Sequence, residues 1–593
     1  MSSVPRLETG PNAEIGAVAD TVPQPVARTL PFTPATAAAG ALFLSACGGG
    51  ASGEGTPSAA PVATTPTPTP SATAPATTQP SAPVVVVTPP PTAVQASRFL
   101  AQATMGATQE QIERVVSLGY SKWLDEQFAM PRAISHYDWL VSRGYDVEAN
   151  AWTEAGFDNT VWRQLISEPD QLRQRMGVAL LDILVLGIGP TNCSFKAFAD
   201  GTYIDILLDN AFGNFRDILQ KITYNAAMGS FLTFLNSRKA APNGGGQPDE
   251  NYARELIQLF TIGLYQLNMD GSLKMANGAP IETYTNADVS GLARVFTGFM
   301  TSTAYILSTP RFSSPMKIHP PYHETGPSSF LGTTVSGDGD AAVKTALDTI
   351  FAHPNVPPFV CKQLIQRLVS SNPSPGYVLR VATVFANNSE GVRGDLKAVL
   401  RAILTDSEAR SDTALTSVSG GRLRTPVERL TAWARAFGVT SPSGKWGIGE
   451  TSDVATKLGQ GIGRSPTVFN FFQPGYTPAG SQIAKAGLVA PEFQLTNEQS
   501  VVGYVNYMYR LVAEGADDTK ANYTAILALA ADSTALVNQV NLLLAAGQLS
   551  ATTLQTIRGA VDSVSTSASD GPINRVGIAI VLTLASPEFM VIR

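Results

Sequence analysis

The sequence comprises 593 residues with a formal net charge of −6 and a pI near 5.4. It has no block of like charges, so it lacks the electrostatic footprint that nucleic acids and anionic lipid surfaces require of a partner. We therefore exclude nucleic acid as a main partner. The length exceeds that of one ordinary domain and suffices to bury a large core divided among two or more lobes.

Residues 1–46 are predicted to form a lipoprotein-type export signal. The apolar stretch from Ala35 to Ala46 has the length of a signal-peptide core and falls short of the roughly 20 residues that a membrane span needs. It ends in Leu44-Ser45-Ala46-Cys47-Gly48, which is typical of a cleavage and acylation site. We expect lipidated Cys47 to anchor the protein to a membrane of the cell envelope. The alternative is a buried apolar helix beside a chance cysteine.

The residues before this apolar stretch carry more acids than arginines, whereas export signals begin with positive charge. Our hypothesis is that translation starts at Val26 from an alternative codon, which leaves Arg28 as the charge of a compact signal. Finding Met1 by N-terminal sequencing of the precursor would contradict it.

Residues 47–94 are predicted to form a disordered linker rich in Pro, Thr and Ser. Between Ala51 and Ala93 the only charged residue is Glu54, and large apolar side chains are lacking, so this tract cannot bury a core. Its Thr-Pro units favour extended polyproline geometry. We expect the linker to hold the folded part, residues 95–593, at a distance from the lipid surface.

Helix signals dominate residues 95–593 and predict a mainly α-helical, multi-lobed body. Thr108 and Ser121 open two adjacent helices, Gln109–Leu118 and Lys122–Met130, which form a predicted helical hairpin around Gly119. Similar capping and terminating residues, together with apolar residues three and four positions apart, predict further helices. These are Asp170–Leu186, Phe215–Asn236, Asp288–Phe299, Ala341–Ala352, Pro358–Ser370, Val378–Asn387, Asp395–Ser407, Pro426–Phe437 and Thr496–Glu514.

Two segments lack helix signals. Thr301–Gly339 is rich in Ser, Thr, Pro and Gly with short β-prone runs, which predicts a long polar loop or hairpin excursion of functional importance. Thr440–Tyr476 is rich in Gly and Pro, and we expect its aromatic side chains to pack into the core. These aromatic residues are Phe469, Phe471, Phe472 and Tyr476.

A polar stripe marks the helix predicted from Asp249 to Tyr265. Its members follow the spacing i, i+3, i+4 and i+7, and are Asn251, Arg254, Glu255 and Gln258. An ordinary ion pair between Glu250 and Arg254 explains part of this pattern. Acid, amide and guanidinium side chains are densely grouped here, ahead of a second helix that is capped by Thr285-Asn286-Ala287-Asp288. This grouping also suggests a catalytic site. The candidate catalytic residues are Glu250, Arg254, Glu255 and Asp288.

The sequence contains four histidines, and two of them lie in the long polar loop. His319, His323 and Glu324 could together ligate a divalent metal or transfer protons. Because Pro320 and Pro321 oppose a helix there, the spacing is not that of a zincin. His353, at a helix end, is interpreted as structural, and His136 offers no further signal.

Other catalytic signatures are weak or missing. The sequence has neither a Gly-x-Ser-x-Gly elbow nor a Gly-rich phosphate loop, which argues against serine hydrolases and nucleotide-binding enzymes. Besides Cys47 it contains only Cys193 and Cys361. These thiols could form a disulfide in an oxidising compartment, remain buried, or supply a Cys–His nucleophile.

Several long motifs resemble the bacterial family called Domain of Unknown Function 1800. They include Asp249-Glu250-Asn251-Tyr252-Ala253-Arg254-Glu255-Leu256, Leu292-Ala293-Arg294-Val295-Phe296-Thr297-Gly298 and Tyr322-His323-Glu324-Thr325-Gly326. The resemblance extends over nearly all of residues 96–593. It implies a large, helix-rich exported protein, often encoded beside a second exported family that resembles sulfatases and is its expected partner. It implies no established reaction.

One departure from this family affects the candidate site. Gln258 and Phe260 stand where many relatives carry Glu and His, which weakens a metal site built on that helix, whereas His323 and Glu324 keep the pattern. The resemblance places a catalytic centre where the Glu250–Glu255 helix, the Asp288–Arg294 helix and the His323 loop meet.

Two functions therefore compete. The first is an envelope enzyme, a metal-assisted hydrolase or oxidoreductase, in which the candidate acids and histidines line a polar cleft around a divalent metal. The second is a non-catalytic scaffold or binding lipoprotein, in which the same polar groups form a hydrogen-bond network that fixes helix packing.

Overall fold

The computed structural model describes residues 89–241 and 246–593. The predicted export signal, Cys47 and most of the predicted linker lie outside these residues. The described part is mainly α-helical, as the sequence predicts. Among the described residues, none of the helices combines the length and apolar character needed to cross a bilayer.

The helices begin close to the residues that the capping signals mark. In the first half of the chain they are α1 (Ala93–Ala103), α2 (Gln109–Ala129), α3 (His136–Ser142), α4 (Phe157–Ser167), α5 (Gln171–Leu181), α6 (Lys196–Asp209), α7 (Phe215–Thr223), α8 (Ala226–Phe231), α9 (Asn251–Glu255) and α10 (Asn286–Val295). In the second half they are α11 (Pro310–Ser313), α12 (Gly339–Ala352), α13 (Val356–Leu368), α14 (Pro375–Ala386), α15 (Leu396–Thr405), α16 (Ser407–Arg410), α17 (Pro426–Ala436), α18 (Gln482–Lys485), α19 (Glu498–Glu514), α20 (Thr524–Leu527), α21 (Ser533–Ala545), α22 (Ala551–Asp562), α23 (Gly571–Leu584) and α24 (Pro587–Met590).

The strands form short antiparallel pairs. The pairs are β1 (Met275–Ala276) with β2 (Ala279–Pro280), β3 (Phe299–Met300) with β4 (Lys317–Ile318), β5 (Ser328–Phe330) with β6 (Thr333–Val335), and β7 (Arg422–Leu423) with β8 (Val591–Ile592). The last pair connects the C-terminal residues to the middle of the chain. Buried apolar side chains form a cluster that extends from Ala96 to Met590.

The predicted helical hairpin at the start of the fold is confirmed. The backbone of Gly119 leaves the helical region with φ 74° and ψ 167°, and helical segments lie on both sides of it. The indole nitrogen of Trp123 donates to the side-chain oxygen of Gln111 at 2.8 Å. Residues twelve apart on a straight helix would be about 18 Å distant along its axis, so this contact requires the two segments to fold back on each other.

Two predicted helices are shorter than the sequence suggests. The one expected at Phe215–Asn236 is divided into α7 and α8, because the Asn225 side chain accepts a hydrogen bond from Met228 N and so starts a new helix. The helix expected at Asp170–Leu186 ends as α5 at Leu181.

The helix predicted from Asp249 to Tyr265 changes type partway. Helix α9 ends at Glu255, and a π-helix continues from Leu256 to Thr261. Gly263, with φ 81°, follows this turn. The wider turn alters the angular spacing, so Gln258 leaves the stripe that regular α-helical geometry predicts.

After the π-helix, residues 264–283 form a hairpin built on the pair β1–β2. Its arms are joined by hydrogen bonds such as Gln266 N to Ile281 O and Thr283 N to Leu264 O. We refer to these residues as the 264–283 hairpin. It carries exposed apolar side chains, namely Leu264, Tyr265, Leu273 and Met275.

The polar excursion Thr301–Gly339 matches its prediction as loop and hairpin, since it contains β4 and the β5–β6 hairpin. In Thr440–Tyr476, Phe472 is buried as predicted. The prediction of core packing is wrong for Phe469, whose side chain is 44% exposed. Cys193 and Cys361 are both buried and free, so they do not form the disulfide considered above.

Candidate functional site

Helix α10 is the meeting point of the segments that the sequence groups together. Ser290 on this helix donates to Glu250, which precedes α9. Arg294 lies 3.5 Å from a carboxylate oxygen of Glu324 in the polar loop. The predicted convergence of the three segments is therefore present, and α10 holds them together.

Asp288 uses both carboxylate oxygens in local structure. One accepts from the backbone N–H and the hydroxyl of Thr285, each at 2.7 Å, and completes a capping box. The other accepts from Leu331 N at 2.6 Å and fixes the β5–β6 hairpin to α10. Partial burial favours a higher pKa for Asp288, but these hydrogen bonds outweigh it and hold the pKa below its ordinary value.

Glu250 and Arg254 form the predicted i, i+4 ion pair, with 3.0 Å between the guanidinium and the carboxylate. Both side chains are more than a third exposed, so this pair adds little to stability. Arg254 also reaches Asn286 at 3.5 Å, close to the start of α10.

Glu255 is the buried member of the predicted group. Its side-chain oxygen Oε2 meets no hydrogen-bond donor in the described residues. Burial raises the pKa of Glu255, and the nearby charge of Arg254 partly opposes this shift. Glu255 therefore favours its neutral form more than an exposed glutamate does.

The two loop histidines occupy different environments. His319 is exposed, and its ring lies edge-on to that of Tyr322 with 4.7 Å between centroids. His323 is 2% exposed, and its Nδ1 lies 3.0 Å from the carbonyl oxygen of Thr297, while Nε2 has no partner in the described residues. Glu324 accepts from Gly326 N at 2.8 Å.

These positions do not assemble into a recognisable metal site. Within residues 89–241 and 246–593, no three His, Cys, Asp or Glu side chains are grouped as they would be around a metal ion. The proposed ligands His319, His323 and Glu324 instead make separate contacts. The packing of His323 supports a structural role. Its Cβ is so close to Gly298 that a Cβ added to this glycine would lie only 3.0 Å from it.

Replacing His323 with alanine should lower the free energy of unfolding by about 1–3 kcal/mol, because it removes a buried ring together with its hydrogen bond. Denaturant unfolding measures this loss. His319→Ala, on an exposed ring, is the control and should change stability by less than about 0.5 kcal/mol. Elemental analysis of the same samples tests the metal hypothesis. A metal that is lost in a fully stable His323→Ala protein would contradict the structural role.

A large cleft of ≈ 1120 Å³ lies elsewhere in the molecule. One wall is helix α13, and another is the irregular segment from Val468 to Gly475. The 264–283 hairpin, the loop before α14 and the segment before β7 complete it. Of the residues in the predicted polar stripe, only Gln258 lines this cleft, and its side-chain oxygen also accepts from Tyr284 at 3.0 Å.

Helix α13 turns a polar stripe toward the cleft. The stripe consists of Lys362, Gln363, Gln366 and Arg367. Arg367 is 3% exposed, and its Nε and Nη1 meet no acceptor in the described residues. The amide nitrogen of Gln363 is likewise buried and without a partner there. Buried donors of this kind are normally satisfied, so they indicate a place for a hydrogen-bonding ligand or water.

Behind the cleft lies a group of ionisable side chains that we call the buried charge cluster. Its members are Arg175, Asp182, Arg367, Arg422, Arg424, Glu428 and Glu492. Glu428 is central, with Arg175 at 2.7 Å and Arg422 at 2.9 Å. Burial raises the pKa of Glu492, against the attraction of Arg422 and Arg367. Four arginines face three acids, so the cluster is positive overall.

Residues 98–591 match the family model described as Protein of unknown function (DUF1800). The chain belongs to the DUF1800 family. No curated protein and no solved structure is significantly similar to it. The family membership accounts for the motifs around α9, α10 and the polar loop, and it supplies no reaction.

In this DUF1800 chain the stripe on α13 was not predicted from the sequence. The signal was present, since Lys362, Gln363, Gln366 and Arg367 follow helical spacing inside the predicted helix Pro358–Ser370. An isolated polar stripe does not reveal whether it faces solvent or a cleft. No feature of the sequence indicated that Phe469 would be exposed opposite α13.

Proposed function

We propose that this protein is a non-catalytic binding lipoprotein of the cell envelope, which holds a small organic ligand in the cleft beside α13. The main support is that buried donors of Arg367 and Gln363 have no acceptor in the described residues. Both side chains line a cleft of ≈ 1120 Å³. A concave, largely apolar site with a few convergent polar groups is the usual form of a ligand pocket. The proposed anchor is Cys47.

The contacts of the predicted catalytic residues support a scaffold role for them. Asp288 caps a helix and fixes a hairpin, and Glu250 connects α9 to α10. These contacts support a packing role for both residues, which the second of the two initial hypotheses expects. A co-encoded, sulfatase-like exported protein remains the proposed partner of this assembly.

A metal-assisted hydrolase or oxidoreductase is the second candidate. The observation in its favour is that Glu255 Oε2 and His323 Nε2 are both buried without partners in the described residues. Elemental analysis of wild type and His323→Ala, as described above, decides whether a divalent metal belongs to this site.

The binding function predicts that a narrowed cleft responds less to ligand. Gly475 lines the cleft, and a Cβ placed on it would meet nothing within 4 Å, so Gly475→Phe should narrow the cleft without strain. The probe is a small-molecule extract of the cell envelope, and the readout is the thermal unfolding midpoint. Extract should raise the midpoint of wild type more than that of Gly475→Phe.

Gly189→Phe is the matched control. Gly189 also has open space around its Cβ position, but it lies outside the cleft lining. This variant should respond to extract as wild type does. A missing response in wild type, or an undiminished response in Gly475→Phe, would refute the proposal.

A further inference from the structure

The depth of the cleft is suited to an anion. Arg367 lies there with two nitrogens that meet no acceptor in the described residues, and its guanidinium carbon lies 4.5 Å from the centroid of the Phe472 ring. The ring face adds attraction without accepting a conventional hydrogen bond. A ligand carboxylate beside this guanidinium would form a charge-assisted hydrogen bond.

The surrounding charges reinforce this preference. The buried charge cluster has one more arginine than acids, and burial raises the pKa of both Asp182 and Glu492 toward their neutral forms. On the wall, half-buried Lys362 forms no ion pair within the described residues. Asp182 and Glu408 also line the cleft, but burial raises the pKa of Asp182, and Glu408 already accepts a hydrogen bond from a backbone N–H. Lys362 and Arg367 are therefore the lining groups that attract an anion.

Part of the mouth of the cleft is apolar. Leu264 and Leu273 of the 264–283 hairpin line it, with Phe469 on the opposite segment. These three side chains are between 44% and 49% exposed. Apolar side chains clustered around an opening mark a surface that a ligand or partner covers.

We propose that the cleft binds a single-chain amphiphile with a carboxylate head, of the fatty-acid type, whose head contacts Arg367 and whose chain extends past Leu264 and Phe469 to the mouth. This proposal rests on the proposed binding function. Polar depth and apolar rim match the two ends of such a molecule. Each methylene group covered by the apolar walls contributes to affinity, and the carboxylate determines the orientation.

Two probes of equal chain length test the role of the head group. Sodium decanoate and decan-1-ol are titrated calorimetrically into the full chain carrying Cys47→Ser, which prevents acylation and permits purification without detergent. We expect decanoate to bind at least about tenfold more tightly, because hydrogen bonds to charged groups contribute about 1.5–3 kcal/mol. Gly475→Phe should weaken binding of both.

Charge-removing variants then identify the groups responsible. Arg367→Met and Lys362→Met should each reduce the preference for decanoate over decan-1-ol, whereas Arg254→Met, outside the cleft lining, should preserve it. Lys362→Met decides the question if Arg367→Met fails to fold, because Lys362 is only half-buried. An undiminished preference in the folded variants overturns the proposal, as does equal affinity for both probes.

The failure of this inference differs from failure of the binding function. If neither probe binds but Gly475→Phe still weakens the response to envelope extract, the cleft binds a ligand of another class and the amphiphile proposal is refuted. If the extract response is absent as well, both proposals are refuted.

Discussion

Replacing Glu428 with alanine is expected to lower the free energy of unfolding by about 3–5 kcal/mol, because it leaves buried arginines without their shared counter-ion. Arg175 lies 2.7 Å from one carboxylate oxygen, and Arg422 lies 2.9 Å from the other. The same carboxylate accepts from Thr425 N at 2.9 Å as part of the capping box of α17. Chemical denaturation measures the effect.

Glu126→Ala is the control for this substitution. Glu126 also pairs with an arginine, Arg114, but both side chains are at least 40% exposed. Removal of this surface pair should change the free energy of unfolding far less than removal of Glu428 does. Similar losses in the two variants would contradict the central role of Glu428 in the buried charge cluster.

The contribution of Glu428 should also depend on pH. Burial favours a higher pKa, but Arg175 and Arg422 dominate and lower the pKa of Glu428 from 4.5 to about 2. Since the folded state has the lower pKa, the stabilisation is complete above pH 4.5 and is lost as the pH falls toward 2. The stability difference between wild type and Glu428→Gln should therefore decrease across this range, as measured by denaturation at each pH.

The second large effect is expected for Gly291→Ala. A Cβ at this position of α10 would lie 1.9 Å from the carbonyl oxygen of Ser329 in β5, so the helix and the strand must separate. We expect a loss at the upper end of about 1–3 kcal/mol in the free energy of unfolding, because overpacking against backbone cannot be relieved by a rotamer change.

We expect Gly559→Ala, which is the same chemical change at another site, to stabilise the protein instead. Gly559 lies in α22, and a Cβ there would meet nothing within 4 Å. Alanine should stabilise the helix by about 0.5–1 kcal/mol. A neutral result for Gly291→Ala in denaturant unfolding would show that α10 and β5 are not held in this close contact.

Local signals predicted much of the fold and part of the site. Thr108 and Gly119 marked the N-terminal hairpin, and Thr285 with Asp288 marked the start of α10. The π-helix after Glu255 was not predictable from apolar spacing, because spacing analysis assumes one helical period. It moved Gln258 into the cleft lining and away from the candidate group.

The buried charge cluster was beyond local sequence patterns for a different reason. Arg175, Arg367 and Glu428 belong to three helices that are distant in sequence, and each looks like an ordinary charged residue in its own helix. Their ionic contacts arise only after long-range packing. Motif reasoning therefore favoured the Glu250–Asp288 region, where the charges are close in sequence.

The pairing of β7 with β8 has a consequence for biosynthesis. Val591 and Ile592 bond to Leu423 and Arg422, and helix α1 packs against both β8 and α21. The opening helix also packs against α2 and α5, but its neighbours β8 and α21 lie in segments that leave the ribosome last. A nascent chain cannot complete this core during elongation, and the contacts that close it are among the most non-local in the molecule. Such a polypeptide does not complete its folding until synthesis ends. A chain that crosses a membrane in unfolded form must meet the same condition.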